Sequence, residues 1–164
     1  MKKLLVLTTG GTLDKVYFDA LSEFQVGAPV APTVLAEMNV ALDVETVEIC
    51  RKDSLELTDE DRAQLKAQIE ATQAQRILIT HGTDTMVNSA NYIGEQGNKV
   101  IVFTGAMQPA AFKNTDAVFN IGTAVGALMS PNTPPGCYIA MSGQVYPANQ
   151  VKKNYDSKRF EGTE

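Results

Sequence analysis

The chain has 164 residues, of which 44% are hydrophobic and 20% charged, and this is enough for one compact domain with a substantial core. Its formal net charge of −5 argues against a surface for nucleic acid or anionic lipid, since both need clustered lysine and arginine. The two cysteines, Cys50 and Cys137, are too few for a disulfide framework and are predicted to be free thiols that behave as small hydrophobic residues at the ends of apolar runs.

The chain begins "MKKLLVLTTGG", with an apolar run that is too short for a secretory signal. Such a signal needs roughly 7 to 15 apolar residues, and no segment approaches the ~20 of a membrane span. We therefore interpret the run as a first strand. The sequence predicts a cytoplasmic protein with no nucleic-acid or membrane partner.

Five short apolar runs are predicted to be the strands of one sheet. They are "KLLVLT" (3–8), "VETVEIC" (44–50), "RILIT" (76–80), "KVIVFT" (99–104) and "CYIAMS" (137–142). Apolarity that is continuous along a run favours a strand covered on both faces.

Four segments between these runs carry helical patterns: 32–38, 58–73, 84–97 and 115–129. Thr58 and Asp61 have the spacing of a capping box, and Gly97 is a suitable residue to end the third helix. The fourth is indicated by apolar residues at helical spacing, namely Val118, Ile121, Val125 and Leu128. The alternation of strands and helices predicts an α/β, three-layer Rossmann-like or flavodoxin-like domain, with a mostly parallel sheet of about five strands and helices on both faces.

Two segments fall outside this alternation. Residues 13–31 are mixed in polarity and are predicted to form either a hairpin or a flexible flap. Residues 152–164, "KKNYDSKRFEGTE", are predicted to be a polar tail.

Polar residues follow the strands at their carboxyl ends, where open parallel sheets bind ligands. Four of the five runs lead into "TTGGT", "THGTDT", "TGAMQP" and "SGQVYP", and the second leads into "RKDS". The glycine-rich turn after the first strand lacks both the GxGxxG fingerprint and a GK[ST] sequence, which disfavours a nucleotide site.

The segment "THGTDT" places hydroxyls, a carboxylate and an imidazole close together. A hydroxyl becomes a nucleophile only beside a base or another activating group. His81 is the only histidine, and we predict a structural hydrogen-bonding role for it rather than a catalytic one. The alternative base is a desolvated lysine oriented by an aspartate.

Four features together resemble the N-terminal domain of the bacterial-type L-asparaginase/glutaminase family. They are "TGGT" (9–12), "HGTDT" (81–85), "TGAMQP" (104–109) and the downstream Lys153. Their order and spacing fit across essentially the whole chain. The resemblance implies hydrolysis of L-asparagine to L-aspartate and ammonia, with no metal or cofactor.

The resemblance also implies roles for individual residues. Thr12 would be the nucleophile, and Thr83, Asp84 and Lys153 would form the activating group, with Lys152 as the alternative lysine. The residues expected to contact substrate are Ser54, Gly82 and Asp84.

Three positions depart from the family pattern. Phe24 stands where larger members have a flap tyrosine, and Tyr17, in the same segment, is predicted to supply the missing hydroxyl. Gln108 replaces an arginine, and Leu55 replaces a polar residue beside Ser54. Substrate affinity or choice is therefore open, including the preference between asparagine and glutamine.

Members of this family are roughly twice as long and complete each active site with a neighbouring subunit's second domain. We expect residues 1–164 to form a single asparaginase N-terminal-type domain without that second domain, in a homodimer or higher homo-oligomer. Two other functions stay open: a non-catalytic amino-acid-binding or sensor module, and an amidase for another small amide.

Overall fold

The computed structural model describes residues 1–163. Its central sheet holds six strands, namely β1 (Lys2–Gly10), β4 (Leu42–Lys52), β5 (Arg76–Thr80), β6 (Val100–Thr104), β7 (Gly136–Met141) and β8 (Gln144–Pro147). They lie side by side in the order β4-β1-β5-β6-β7-β8. Each pairing is parallel except that of β7 with β8.

Two antiparallel hairpins lie outside this sheet, and four helices connect its strands. The first hairpin pairs β2 (Lys15–Phe18) with β3 (Glu23–Val26), and the second pairs β9 (Val151–Asn154) with β10 (Arg159–Gly162). The helices are α1 (Ala31–Glu37), α2 (Asp59–Ala71), α3 (Met86–Ile93) and α4 (Ala117–Met129).

The core has two apolar layers, one on each face of the sheet. On one face, α2 and α3 pack Leu65, Ile69 and Ile93 against strand residues. On the other face, α1 and α4 pack Leu35 and Ile121 against the sheet. The predicted three-layer α/β fold is confirmed.

The sheet differs from the prediction at its two edges. The prediction of about five strands omitted β8, which is four residues long, mostly exposed and ends on Pro147. Proline is tolerated in edge strands because it cannot donate to a neighbour. At the other edge β4 is exposed or half-buried along its length, because β1 is its only strand partner in the described part of the chain.

The predicted capping box of α2 is confirmed. The Thr58 hydroxyl accepts from the Asp61 amide at 3.2 Å, and the Asp61 carboxylate accepts from the Thr58 amide at 2.9 Å. The predicted end of α3 at Gly97 is wrong. The helix ends at Ile93, and Gly94, with φ of 62°, is the residue that leaves the helix.

The predicted apolar stripe of α4 is only partly correct. Ile121 and Leu128 are buried, whereas Val118 is exposed. Small residues complete the buried face instead, namely Ala117 and Ala124. Their short side chains let the helix approach the sheet closely. The spacing of the larger apolar residues therefore predicted a buried face that includes Val118 and omits these two alanines.

The segment 13–31 contains the hairpin β2–β3, which is one of the two predicted alternatives. The prediction of a polar tail at 152–164 is wrong for most of its length, because β9 and β10 form a hairpin there. Val151 and Phe160 bury their side chains in the core and fix this hairpin to the domain. No helix within residues 1–163 has the length and apolarity needed to cross a bilayer.

Candidate active site

Two glycines bring the loops after β1, β4 and β5 into direct contact. A Cβ atom on Gly11, which has φ of 87°, would lie 2.5 Å from the Gly82 amide nitrogen. A Cβ atom on Gly82 would lie 2.6 Å from the Ser54 Cβ. Only glycine fits at both positions, and Thr12 and Thr83 directly follow the two glycines. The candidate nucleophile is thus held beside the "HGTDT" loop.

Lys153 joins two residues of that loop. Its Nζ donates to the Thr83 hydroxyl at 2.8 Å and to an Asp84 carboxylate oxygen at 2.7 Å. The Lys153 side chain is 13% exposed and that of Asp84 30%, so the pair is only partly screened by water. Thr83 is buried. The three residues that the sequence grouped together form one hydrogen-bonded cluster.

The structure also distinguishes Lys153 from Lys152. Successive side chains of a strand point to opposite sides, so Val151 and Lys153 share one side of β9. Val151 is buried, and so is Phe160, the cross-strand partner of Lys153. That side therefore faces the domain, while Lys152 is exposed.

Thr12 begins the short 3-10 turn Thr12–Asp14 directly after β1. It is partly exposed, and its hydroxyl makes no hydrogen bond within residues 1–163. The amide of Gly11 donates to the Lys52 carbonyl at 2.9 Å. That amide is therefore already occupied and is not a donor for a developing oxyanion, whereas the Thr12 hydroxyl is accessible.

Tyr17 lies in β2, opposite Phe24 in β3. The two rings meet edge to face with centroids 5.3 Å apart, and Phe24 meets Phe112 at 5.5 Å. Tyr17 is 52% exposed, and within the described chain its hydroxyl makes no hydrogen bond to Thr12. The structure thus places Tyr17 in a row of partly exposed aromatic rings and does not join it to Thr12.

Ser54 is buried beside Gly82, and its hydroxyl has no hydrogen-bond partner in the described chain. Its carbonyl accepts from the Thr85 hydroxyl at 2.8 Å, which ties this loop to the "HGTDT" loop. An unpaired buried hydroxyl carries a desolvation cost. A ligand group that paired with it would remove that cost. Leu55, which follows it, is exposed.

His81 is buried, and burial lowers its pKa to about 4, so the imidazole is neutral near pH 7. Its Nε2 lies 2.8 Å from the Ser89 hydroxyl, which accepts from Arg62 Nε at 3.0 Å. Ser89 therefore donates to Nε2, and Nδ1 donates to the Gly82 carbonyl at 2.6 Å. These contacts fit the predicted structural role, which here is to hold Gly82.

Asp14 is a buried residue near Thr12 that the sequence did not single out. One carboxylate oxygen accepts from the Val30 amide at 3.0 Å, and the Asp14 carbonyl accepts from the Gly27 amide at 2.8 Å. The other carboxylate oxygen has no partner in the described chain. Desolvation by burial raises the pKa of Asp14 to about 7. Asp14 thus fastens both ends of the hairpin, and its sequence position alone carried no signal of this.

Comparisons with known proteins agree with this architecture. The family model "Asparaginase, N-terminal" matches residues 3–162. The "Probable L-asparaginase periplasmic" of Haemophilus influenzae is 28% identical over 93% of this chain and 46% of its own length. The L-asparaginase of Thermococcus kodakarensis is 29% identical over 92% of this chain and 47% of its own. The chain thus spans about half the length of the curated relatives it matches.

Solved structures show the same relation. The thermostable L-asparaginase from T. kodakarensis superposes with a TM-score of 0.82 and 25% identity, over 98% of this chain and 51% of that one. The probable cytoplasmic L-asparaginase from Campylobacter jejuni superposes with a TM-score of 0.84 and 24% identity, over 99% of this chain and 52% of that one, which shows the fold. The chain belongs to the asparaginase family and matches its N-terminal domain.

Proposed function

We propose that this protein is an amidohydrolase that converts L-asparagine to L-aspartate and ammonia, with Thr12 as nucleophile. The observation that carries the proposal is the Lys153–Thr83–Asp84 cluster, whose loop packs against the turn that bears Thr12. A lysine, a hydroxyl and a carboxylate in hydrogen-bond contact are the groups that an activated hydroxyl nucleophile needs nearby.

The reaction has two halves. In the first, the Thr12 hydroxyl oxygen bonds to the amide carbon, the C–N bond breaks, and the Thr12 proton leaves on ammonia through Tyr17. In the second, Lys153 first passes a proton to Asp84. Water then attacks the resulting ester and gives a proton to Thr83, and Lys153 accepts the proton of Thr83. Return of one proton to the Thr12 oxygen releases aspartate and restores the enzyme.

Substrate recognition in this proposal uses three groups around the cluster. The second carboxylate oxygen of Asp84 accepts from the substrate α-ammonium group. The Ser54 hydroxyl, which lacks a partner within residues 1–163, donates to the substrate α-carboxylate. Gly82 lets Ser54 approach the "HGTDT" loop closely, and its backbone is the third group proposed to contact the substrate.

Tyr17 requires a movement of the hairpin β2–β3 in this proposal. The hairpin begins at Lys15, directly after the Thr12 turn, and most of its residues are exposed. A closure that carries the Tyr17 hydroxyl to Thr12 would supply the proton relay that Phe24 lacks. Substrate-induced closure of such segments is common in enzymes that must exclude water from an intermediate.

The assembly is also part of the proposal. We propose one asparaginase N-terminal-type domain over residues 1–164, acting in the cytoplasm as a homodimer or higher homo-oligomer. Support for an assembly comes from exposed apolar side chains, which include Phe24, Phe112 and Phe119. Analytical ultracentrifugation of the chain tests it, and a monomer at all concentrations would contradict it.

Ammonia release from L-asparagine by the purified protein is the direct test of the reaction. We expect turnover by the wild type and loss of at least about a hundredfold in Thr12→Ala, because the nucleophile is removed. Thr72→Ala is the matched control, since Thr72 lies between α2 and β5, at the opposite end of the strands from the candidate site. Equal ammonia release by the wild type and Thr12→Ala would contradict the proposal.

Two other functions have specific support. The Ser54 hydroxyl, which has no hydrogen-bond partner among residues 1–163, suits an amino-acid-binding module as well as an enzyme. Calorimetric binding of asparagine without ammonia release would favour that module. A component of the glutamyl-tRNA(Gln) amidotransferase of Methanococcus maripaludis is 27% identical over 97% of this chain, which supports a test of other amide substrates. Ammonia release across glutamine, D-asparagine and short amides is that test.

A further inference from the structure

Tyr155 lies against the Lys153–Asp84 pair and has no place in the reaction described above. The Lys153 Nζ is 4.7 Å from the centroid of the Tyr155 ring, which is cation–π distance. Partial desolvation and then the nearby Asp84 carboxylate raise the pKa of the Tyr155 hydroxyl, so the side chain lies close to both members of the pair. Yet Tyr155 is 63% exposed, and burial in the core does not explain its position.

The turn between β9 and β10 is built to hold Tyr155 where it is. Tyr155 directly follows β9, and the Asn154 side chain accepts from the amides of Asp156 at 2.9 Å and Ser157 at 3.2 Å. The Asn154 amide group donates to the Glu161 carboxylate at 3.0 Å, and the Ser157 hydroxyl donates to it at 3.1 Å. The backbone on both sides of Tyr155 is therefore fixed by side-chain hydrogen bonds.

Lysine needs such support more than most residues. Its ammonium group sits on a flexible four-carbon stem that loses considerable rotamer entropy when held in one conformation. The contact of Nζ with Thr83 requires one such conformation. A ring over the outer side of the ammonium group disfavours the conformations that extend into water.

We propose that Tyr155 is a positioning residue whose ring covers the Lys153 ammonium group and keeps Nζ directed at Thr83. This role rests on the proposed function only for its effect on turnover, because the cover itself is a property of the resting protein. A cation–π contact at an exposed site is strong enough to raise the population of the conformation with Nζ at Thr83 about two- to fivefold.

The cover is tested without substrate by acetylation of lysines with acetic anhydride, measured by peptide mass spectrometry. The rate at Lys153 is divided by the rate at exposed Lys152 in the same molecule. We expect this ratio to rise about two- to fivefold in Tyr155→Leu and to stay at the wild-type value in Tyr155→Phe, which keeps the ring. An unchanged ratio in Tyr155→Leu would overturn the role, and so would a Tyr155→Phe variant that behaves like Tyr155→Leu.

A second lysine–tyrosine pair in the same chain gives the matched control. Lys66 Nζ lies 5.5 Å from the centroid of the Tyr92 ring, with the two residues on α2 and α3. Tyr92→Leu removes a comparable ring and should leave the Lys153 ratio unchanged. An equal rise at Lys153 in that variant would show general loosening of the fold and would contradict a specific role for Tyr155.

Turnover provides the second measurement. We expect kcat for asparagine to fall about two- to fivefold in Tyr155→Leu, with KM nearly unchanged and recovery in Tyr155→Phe. A change in KM alone, with kcat unchanged, would overturn the positioning role. If Thr12→Ala and the wild type release ammonia equally, the proposed function fails, and the acetylation ratio still decides the role of Tyr155.

Discussion

The two hairpins on this domain carry different kinds of candidate residue and are held in different ways. The hairpin β9–β10 inserts Val151 and Phe160 into the core and carries Lys153 into contact with Thr83. In the hairpin β2–β3 every residue is exposed or half-buried, and Tyr17 meets the ring of Phe24 rather than a polar partner in the described chain. The side chain that is precisely placed lies on the hairpin with core anchors.

This difference has a physical basis. A residue whose strand partner is buried has little freedom to move. Its movement would expose the partner's apolar surface to water, at a free-energy cost of about 25 cal/mol per Å². The β2–β3 hairpin has no such penalty and is fastened mainly at its base, by Asp14 and by the ion pair of Lys15 with Asp53 at 2.9 Å. It is thus suited to a closing movement, while β9–β10 is suited to hold a fixed group.

The largest expected effect is on kcat and comes from removing the amino group of Lys153. Lys153→Met keeps the length and apolar stem of the side chain and removes the base, so we expect kcat for ammonia release to fall about 10²- to 10⁴-fold with the fold retained. Lys152→Met, on the outward side of the same strand, is the matched control and should keep near-wild-type kcat. An unchanged kcat in a folded Lys153→Met protein would remove Lys153 from the mechanism.

The anchors of the two hairpins should differ strongly in their effect on stability. Phe160→Ala deletes a buried ring, and we expect it to reduce the free energy of unfolding by about 3 kcal/mol or more. Phe24→Ala deletes a half-exposed ring, and we expect a loss of about 1 kcal/mol or less. Urea denaturation of both variants measures this. Equal losses would show that β2–β3 is anchored as firmly as β9–β10.

Asp14, which fastens β2–β3, should make the stability of the folded protein depend on pH. Its pKa is raised to about 7 in the folded protein from an ordinary 3.8, so the unfolded chain releases the proton first. Its contribution to stability is therefore complete below about pH 4 and is lost as the pH rises through about 7. His81 acts oppositely: with its pKa lowered from 6.5 to about 4, it reduces stability as the pH falls through that range.

Asp14→Asn separates these opposing effects. It keeps an oxygen for the Val30 amide and removes the titrating group, so we expect greater stability than the wild type above pH 7, on the order of 2 to 4 kcal/mol. Below pH 6.5 the variant should lose stability on acidification more steeply than the wild type. Urea denaturation from about pH 4 to 8 measures both, with Asp43→Asn on the exposed face of β4 as control. Parallel stability curves for Asp14→Asn and the wild type would contradict the assignment.

The same contrast explains what the sequence could and could not predict. The apolar runs determined the parallel strands, and the motifs "TGGT" and "HGTDT" located the loops that Gly11 and Gly82 bring together. The hairpin β9–β10 was missed because only Val151 and Phe160 are buried in an otherwise polar stretch. The position of Lys153 depends on its strand pairing with Phe160, and this pairing cannot be predicted from the local sequence pattern.

The smallest expected effect concerns Tyr17 and tests whether β2–β3 closes. Tyr17→Phe keeps the ring that packs on Phe24 and removes the hydroxyl, so we expect kcat to fall about tenfold while stability is unchanged. Phe24 pairs directly with Tyr17 across the hairpin, so Phe24→Tyr in the Tyr17→Phe background places a hydroxyl on the neighbouring strand. Partial recovery of kcat in the double variant would show that the closed hairpin delivers a hydroxyl to Thr12 from either strand. Full activity of Tyr17→Phe alone would mean that the proton of Thr12 leaves by a route that does not involve this hairpin, and that β2–β3 serves only to cover the site.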